Sequence, residues 1–296
     1  FIPTPASYKK QFPFLKEVDS LALANVQMNQ NKAFSNFLKN PDKFGHPEFK
    51  SKKKSKKSYT TNCLHNKSRE TIFLTKDGIR LPKLGIVRAR MYRFPNRRWT
   101  LKSATVSQTR SGRYFCSLLY EFEVPTPDEV LPTEENTIGL DYSSPLFYVD
   151  NNGYSPEKLR YFRNSGGKLA KLQRNLSRMK KGSKNYFKLL HKITRLHEHI
   201  ANQRKDFAHK ESRRIANACG AVCVEDIDLK AISQSLKLGK STMDNGFGMF
   251  RTFLGYKLAE QRKHLIYIDK WYPSSKTCCF CDGYNKSLKL GEEEWI

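Results

Sequence analysis

The chain has 296 residues, enough for one large domain or two to three small ones. At 38% hydrophobic and 28% charged it is not a disordered composition, and no apolar run approaches the roughly 18 to 20 residues that cross a bilayer. With 54 Lys+Arg against 28 Asp+Glu, the net charge of +26 repels itself and is best tolerated beside a polyanion, so nucleic acid is a better partner than a membrane surface.

The chain starts at Phe1, shows no secretory pattern, and holds seven cysteines at irregular spacing. An odd, irregular set argues against a disulfide framework and for a reducing cytoplasm.

In chain order, residues 1–40 read as helical after a Pro-containing entry, with Leu15, Val18, Leu21, Val26, Phe34 and Leu38 near helical spacing, and Asn40-Pro41 as the stop. The run Lys50–Lys57, which includes Lys52, Lys53 and Lys54, reads as a solvated loop or as a loop that contacts phosphate. Residues 58–125 change to period two. Thr71–Leu74, Ile86–Tyr92, Ser103–Gln108 and Tyr114–Glu123 are the expected strands, with turns at Lys76–Gly78 and Arg110–Gly112. Short antiparallel strands of this kind predict a small β-barrel. Arg88, Arg90, Arg97 and Arg98 interleave with Tyr92 and Trp99, a mix that suits phosphate neutralisation and base stacking, or simply a charged outer face.

Pro125–Pro127 and the acidic stretch to Glu135 read as a linker. Thr137–Asp141 and Phe147–Asp150 are expected strands of a hairpin that Asn151–Gly153 ends. Residues 168–218 are expected to form two antiparallel helices broken at Gly182. Between Lys168 and Arg214 there are 15 Lys+Arg and three acids. Lys171, Arg174, Arg178, Lys180, Lys181, Arg204 and Lys205 are the candidate nucleic-acid contacts, weighed against a merely solvated helical surface. Ala221–Val224 is a short apolar strand. Phe247–Lys263 reads as an amphipathic helix, and His264–Asp269 as a second buried strand, parallel because a helix precedes it.

Two features carry chemistry. Asp141 and Glu225 each end an apolar strand, where a carboxylate is costly unless the strand end is open to solvent or a metal neutralises it. If the strands are neighbours, hard oxygen donors meet at one edge and suit Mg²⁺ in a two-metal phosphodiester site. An Asp at an ordinary turn is the plainer account. Cys278 and Cys281 form a C-x-x-C pair, half the ligand set of a tetrahedral Zn²⁺, or two ordinary cysteines.

These stretches resemble a known family, the TnpB proteins (OrfB-type transposases of insertion sequences). Gly139-Leu-Asp141-Tyr-Ser-Ser with Phe147–Gly153 is similar to the family's first RuvC motif. Ala201–Asp206 followed by Val222-Cys-Val-Glu225-Asp226 resembles its helix and second motif. Ser241–Phe250 and Trp271–Cys278 resemble the entry to its zinc ribbon, and Phe12–Leu21 and Phe44–Lys54 also resemble the family.

The resemblance implies an α/β plus all-β fold. The segments would be a partial helical recognition segment at 1–45, a partial, wedge-like β-barrel at 46–128, an RNase H-like (RuvC) domain with a basic helical insertion at 129–270, and a partial zinc ribbon at 271–296. It implies a bacterial, cytoplasmic, nucleoid-associated protein that binds guide RNA and double-stranded DNA and, when complete, cuts DNA with Mg²⁺. Asp141 and Glu225 would be its first two metal-binding carboxylates, Cys278 and Cys281 half of its zinc ligands, and the barrel a cradle for guide RNA and flanking DNA. The family's third carboxylate follows a second C-x-x-C, where this chain reaches Trp295-Ile296. Either the chain is a piece of a longer protein, or it is a nuclease-inactive, RNA-guided DNA-binding repressor. A strand transferase is the weakest reading, because no Tyr and His-pair constellation is present.

Overall fold

The computed structural model describes residues 3–51, 55–66, 69–143, 145–157, 160–229, 246–269, 271–278, 281 and 283–287. The chain divides into two compact units, Phe1–Pro125 and Thr126–Ile296.

In the first unit, helix α1 spans Ser20–Lys39. Asp19 caps it by accepting from the Ala22 amide at 3.0 Å, which satisfies one of the orphan donors of the first turn. Upstream, the Pro-containing entry forms short 3₁₀ turns at Ser7–Lys9 and Pro13–Lys16. Pro13 has no amide proton to donate, so no helical ladder runs through it. Strand β1 (Lys57–Asn62) pairs with β7 (Thr100–Gln108), which pairs with β8 (Tyr114–Glu121) in a three-stranded antiparallel sheet. Asn25 Nδ2 of α1 donates to the Thr60 carbonyl at 3.2 Å, fastening the helix to β1. The β7–β8 turn falls at Arg110–Gly112 as expected, with Gly112 at φ +80°, a region glycine enters without penalty.

Between β1 and β7 lie β2 (His65–Asn66), β3 (Arg69–Glu70), β4 (Phe73–Thr75), β5 (Gly78–Leu81) and β6 (Gly85–Arg88). β2 and β3 form one ladder, and β4, β5 and β6 a separate antiparallel sheet. Among the described residues these ladders are hydrogen-bonded separately, while Ile79 and Leu81 of β5 share one core with Leu101 and Ala104 of β7. β4 to β6 have only three or four residues each, and the expected strand at Ile86–Tyr92 stops at Arg88. Gly78 opens β5 rather than only ending a turn. A Cβ there would stand 2.2 Å from the Val87 carbonyl oxygen of β6, so no side chain fits. The core of this unit is Cys63, Ile72, Ile79, Leu81, Leu101 and Ala104.

In the second unit a four-stranded sheet has the order β10-β9-β11-β12. β9 (Thr137–Ser143) and β10 (Phe147–Asp150) form the expected hairpin, and β11 (Ala221–Glu225) runs parallel to both β9 and β12 (His264–Ile268). Parallel neighbours need long crossovers. The first carries α2 (Tyr161–Ser177) and α3 (Lys184–Ala218), which pack on each other across a turn with Gly182 at φ +84°. The second carries α4 (Phe247–Glu260).

Leu140, Val222 and Val224 face Ala208 and Ile215 of α3 and Phe250, Leu254 and Leu258 of α4. Each fully buried large side chain of this kind stabilises the fold by about 1.5–3 kcal/mol. The expectation that β12 is buried is corrected. It is the outer strand of the described sheet, with Ile266 39% and Tyr267 52% exposed. Only one of its edges is hydrogen-bonded to a strand, and only part of it, Leu265 included, packs on the core.

Candidate functional site

Strand alternation decides where the two predicted carboxylates go. β9 and β11 pair in register from Ala221↔Thr137 to Val224↔Leu140. Leu140 and Val224 point into the core, so the next residues, Asp141 and Glu225, point to the opposite face at adjacent register positions. Asp141 reaches solvent, yet the protein packed around it, and then the Glu225 charge, push its carboxyl above the usual range. The Tyr142 backbone amide, a donor to it, works the other way. The two carboxylates singled out in the sequence are therefore neighbours in the structure.

Three neighbours were not legible in the sequence. Ser274 donates its hydroxyl to Glu225 Oε1 at 2.7 Å. Arg251 of α4 donates to the Glu225 carbonyl at 3.3 Å and stands 3.9 Å from Asp226 Oδ1, with its guanidinium 5.7 Å from the Tyr267 ring centroid. The Asp226 amide donates to the Ile268 carbonyl at 3.0 Å and extends the ladder past Glu225. Other strand-end acids have local duties. Asp150 Oδ1 accepts from the Asn152 and Tyr154 amides at 2.9 and 2.8 Å, and Asp269 Oδ1 accepts from the Trp271 amide at 2.7 Å.

A buried polar cluster braces the same sheet from α3. Tyr148 donates to Glu211, and Arg214 Nη2 donates to Glu211 Oε1 at 2.7 Å and to the Tyr148 hydroxyl at 2.9 Å. Burial first, and then the hydrogen bond to Glu211, raise the Tyr148 phenol well above its ordinary range. Lys257 lies in the buried stripe of α4. Its ammonium donates to the His209 carbonyl at 2.6 Å and to Ser212 Oγ at 2.7 Å, and burial lowers its pKa.

Cys278 and Cys281 sit on a tight turn. Thr277 bridges Tyr284, and the Cys278 amide donates to the Gly283 carbonyl at 2.9 Å. A Cβ on Gly283 would lie 3.2 Å from Cys281 Sγ.

Arg88, Arg90, Arg97 and Arg98 are exposed at and after the end of β6, and Arg90 lies 5.4 Å from the Tyr92 ring centroid. Trp99 stacks on Phe122 at 4.3 Å and 15°. On the helical hairpin Lys171, Arg174, Arg178, Lys180, Lys181 and Lys205 are exposed and Arg204 is half-buried. Lys52, Lys53 and Lys54 lie outside the described residues.

Comparison with known proteins finds relatives along nearly the whole chain. The OrfB_IS605 family, described as "Probable transposase", matches residues 117–236, and the Cas12f1-like TNB domain matches residues 247–296. The chain is 31% identical over 299 residues to a Streptomyces pristinaespiralis protein named "Putative RNA-guided DNA endonuclease", covering 97% of this chain and 68% of that one. InsQ of Escherichia coli K12, with the same description, is 28% identical over 298 residues, covering 95% of this chain and 70% of InsQ. The Cas12f1 chain in a cryo-EM complex with sgRNA and target DNA superposes with a TM-score of 0.51 at 18% identity, covering 90% of this chain and 65% of that one. That likeness extends the shared mixed helix-and-sheet fold beyond the reach of sequence identity. By its identity to these relatives and its match to the family model, the chain belongs to the OrfB/TnpB family of insertion-sequence proteins.

Proposed function

We propose that this protein is an insertion-sequence-encoded, RNA-guided DNA endonuclease. The second unit would be its RuvC-type (RNase H-like) domain, with the basic α2–α3 hairpin as an insertion. The observation that carries this reading is the placement of Asp141 and Glu225 side by side on the face of the sheet opposite the core. In a chain of net charge +26, two carboxylates held together are a local exception within a field that attracts nucleic acid.

The donor set fits Mg²⁺. Two oxygen-donor carboxylates stand close enough that the charge of one raises the pKa of the other, and a divalent cation relieves that repulsion. Asp141 and Glu225 would hold it. When bound, Mg²⁺ supplies activation of the attacking water and stabilisation of the leaving oxygen of the phosphodiester. The chain's own residues prepare the site. The Ser274 hydroxyl fixes the Glu225 carboxylate, and the Arg251 guanidinium holds the Glu225 carbonyl, and with it the strand end.

Cys278 and Cys281 fit half of a structural Zn²⁺ site, because their turn presents two thiols from one loop. Guide RNA and double-stranded target DNA are the partners, with sequence read by guide pairing and the backbone by exposed Lys and Arg. Such a protein acts on nucleoid DNA in the bacterial cytoplasm. Among the described residues no helix is long and apolar enough to cross a membrane.

The test is plasmid cleavage by the protein co-expressed with RNA from the element's end, in the presence of Mg²⁺. Asp141→Ala and Glu225→Ala each remove a metal ligand, an effect of several kcal/mol and thus at least about 100-fold in rate. Unchanged cleavage in either variant overturns the assignment. Guide-dependent DNA binding without cleavage by the unaltered chain makes this chain a DNA-binding remnant or repressor.

A further inference from the structure

The first unit contains a second constellation of metal-ligating groups, and no part of the proposed nuclease mechanism uses it. Cys63, His65 and Glu70 offer one ligand atom each, all within 4.8 Å of one another. They converge because His65 of β2 pairs directly with Glu70 of β3, while Cys63 precedes β2 in the core of the sheet. The base of this hairpin is pinned. The Cys63 amide donates to the Lys102 carbonyl at 2.8 Å, the Leu64 amide to Thr71 Oγ1 at 2.9 Å, and the Thr71 amide to the Leu64 carbonyl at 3.1 Å.

The imidazole is oriented as a metal ligand's would be. His65 Nε2 lies 2.7 Å from the Leu101 carbonyl, an acceptor only, so this nitrogen carries the proton. In the neutral ring the lone pair is then on Nδ1, which faces Glu70 Oε1 at 3.1 Å. Two acceptors at that distance need a proton or a cation between them. A backbone carbonyl holding the far ring nitrogen is the usual outer partner of a metal-bound histidine.

We infer that Cys63, His65 and Glu70 form a Zn²⁺-binding site that staples the β2–β3 hairpin to the sheet of the first unit. A thiolate, an imidazole and a carboxylate are a mixed S/N/O set that suits zinc and disfavours Mg²⁺ and Ca²⁺. Ligands 2.0–2.3 Å from a tetrahedral zinc stand about 3.3–3.8 Å apart, so the widest pair here closes by at most about 1.5 Å. Binding releases the Cys63 proton, which in the metal-free protein is donated to the Ile72 carbonyl at 3.5 Å. The thiolate and carboxylate then balance the two charges of the ion, and a water completes the tetrahedron.

The test uses the full chain carrying Cys278→Ser and Cys281→Ser, titrated with Co²⁺ as a spectroscopic stand-in for zinc. One equivalent is expected, with thiolate-to-cobalt charge-transfer absorbance that Cys63→Ser abolishes and that His65→Gln or Glu70→Gln weakens at least tenfold. The latter two side chains are 37% and 49% exposed, so their replacement does not challenge folding. A second readout needs no cysteine variant: added Zn²⁺ is expected to slow amide hydrogen exchange across residues 63–71 of the unaltered chain, and not in Glu70→Gln. Absence of both the charge-transfer band and the added protection overturns the site, and leaves His65 and Glu70 as an ordinary ion pair.

Discussion

The two units use their aromatic residues in opposite ways. In the second, Phe147, Tyr148, Phe247 and Phe250 are fully buried, and their rings meet at centroid distances of 5.1–5.7 Å. In the first, the buried core has no aromatic member among the described residues, while Tyr92 and Phe94 are 82% and 68% exposed among arginines. A similar composition therefore serves packing in one unit and presents stacking surfaces in the other. Packing fixes where the carboxylate pair stands, and exposed rings beside Arg offer a sequence-tolerant grip on bases.

The comparison breaks first at its densest point. Phe250→Ala removes a side chain enclosed by Phe147, Tyr148 and Phe247. It is expected to destabilise the second unit by about 3–5 kcal/mol, read as a lower urea midpoint with unchanged slope. A loss under about 1 kcal/mol would mean that the aromatic cluster is not the core.

Next is the polar brace between β10 and α3. Tyr148→Phe keeps the ring and deletes the hydroxyl that donates to Glu211 and accepts from Arg214. Glu211 is 8% exposed, so losing one partner is expected to cost about 1–3 kcal/mol in the same assay. Equal stability would show that Arg214 alone satisfies the carboxylate.

Tyr92→Ala sharpens the contrast from the other side. It is expected to leave stability within about 0.5 kcal/mol of the parent chain. Affinity for single-stranded nucleic acid should fall by about 1–3 kcal/mol, measured at fixed salt by fluorescence anisotropy. Arg90→Ala, which removes the guanidinium beside that ring, is expected to weaken binding and also to flatten its salt dependence. If neither variant moves the affinity, the exposed rings are not a nucleic-acid surface.

What could be read in the sequence follows the same division. Strands and helices of the second unit lie close to their expected bounds, because period-two and period-3.6 patterns are strongest where one face packs on a core. The Asp141–Glu225 pair was legible for the same reason, since each comes after an apolar run, although β9 continues through Asp141 to Ser143. In the first unit β1 was hidden behind Lys50–Lys57, and β5 began at a glycine that resembled turn punctuation. Strands of two to four residues carry too few side chains to show a period. Ser274, Arg251 and the partner of His65 are set by tertiary contacts between residues far apart in the chain, and no local pattern encodes them.

The smallest expected effect is a pH dependence where α3 meets α4. The His209 ring stacks on Phe253 at 3.9 Å and 9°, and its Nδ1 lies 3.5 Å from the Tyr256 hydroxyl. Burial, then the charges of Lys257 and Lys205, lower its pKa below the usual 6.5, and Asp206 only partly opposes them. A base whose folded pKa is depressed is largely neutral in both states well above 6.5 and contributes almost no slope there. As pH falls below 6.5 the unfolded chain takes up the proton first, so folding stability declines until the folded pKa is passed. His209→Phe keeps a stacking ring but cannot be protonated, so it removes this component. The stability difference between parent and variant, followed by urea unfolding, should be constant above pH 7 and shift in favour of the variant as pH falls below 6.5. A difference that stays flat through that window would place His209 in contact with enough water to titrate normally, and would loosen the picture of a tightly packed α3–α4 seam behind the carboxylate pair.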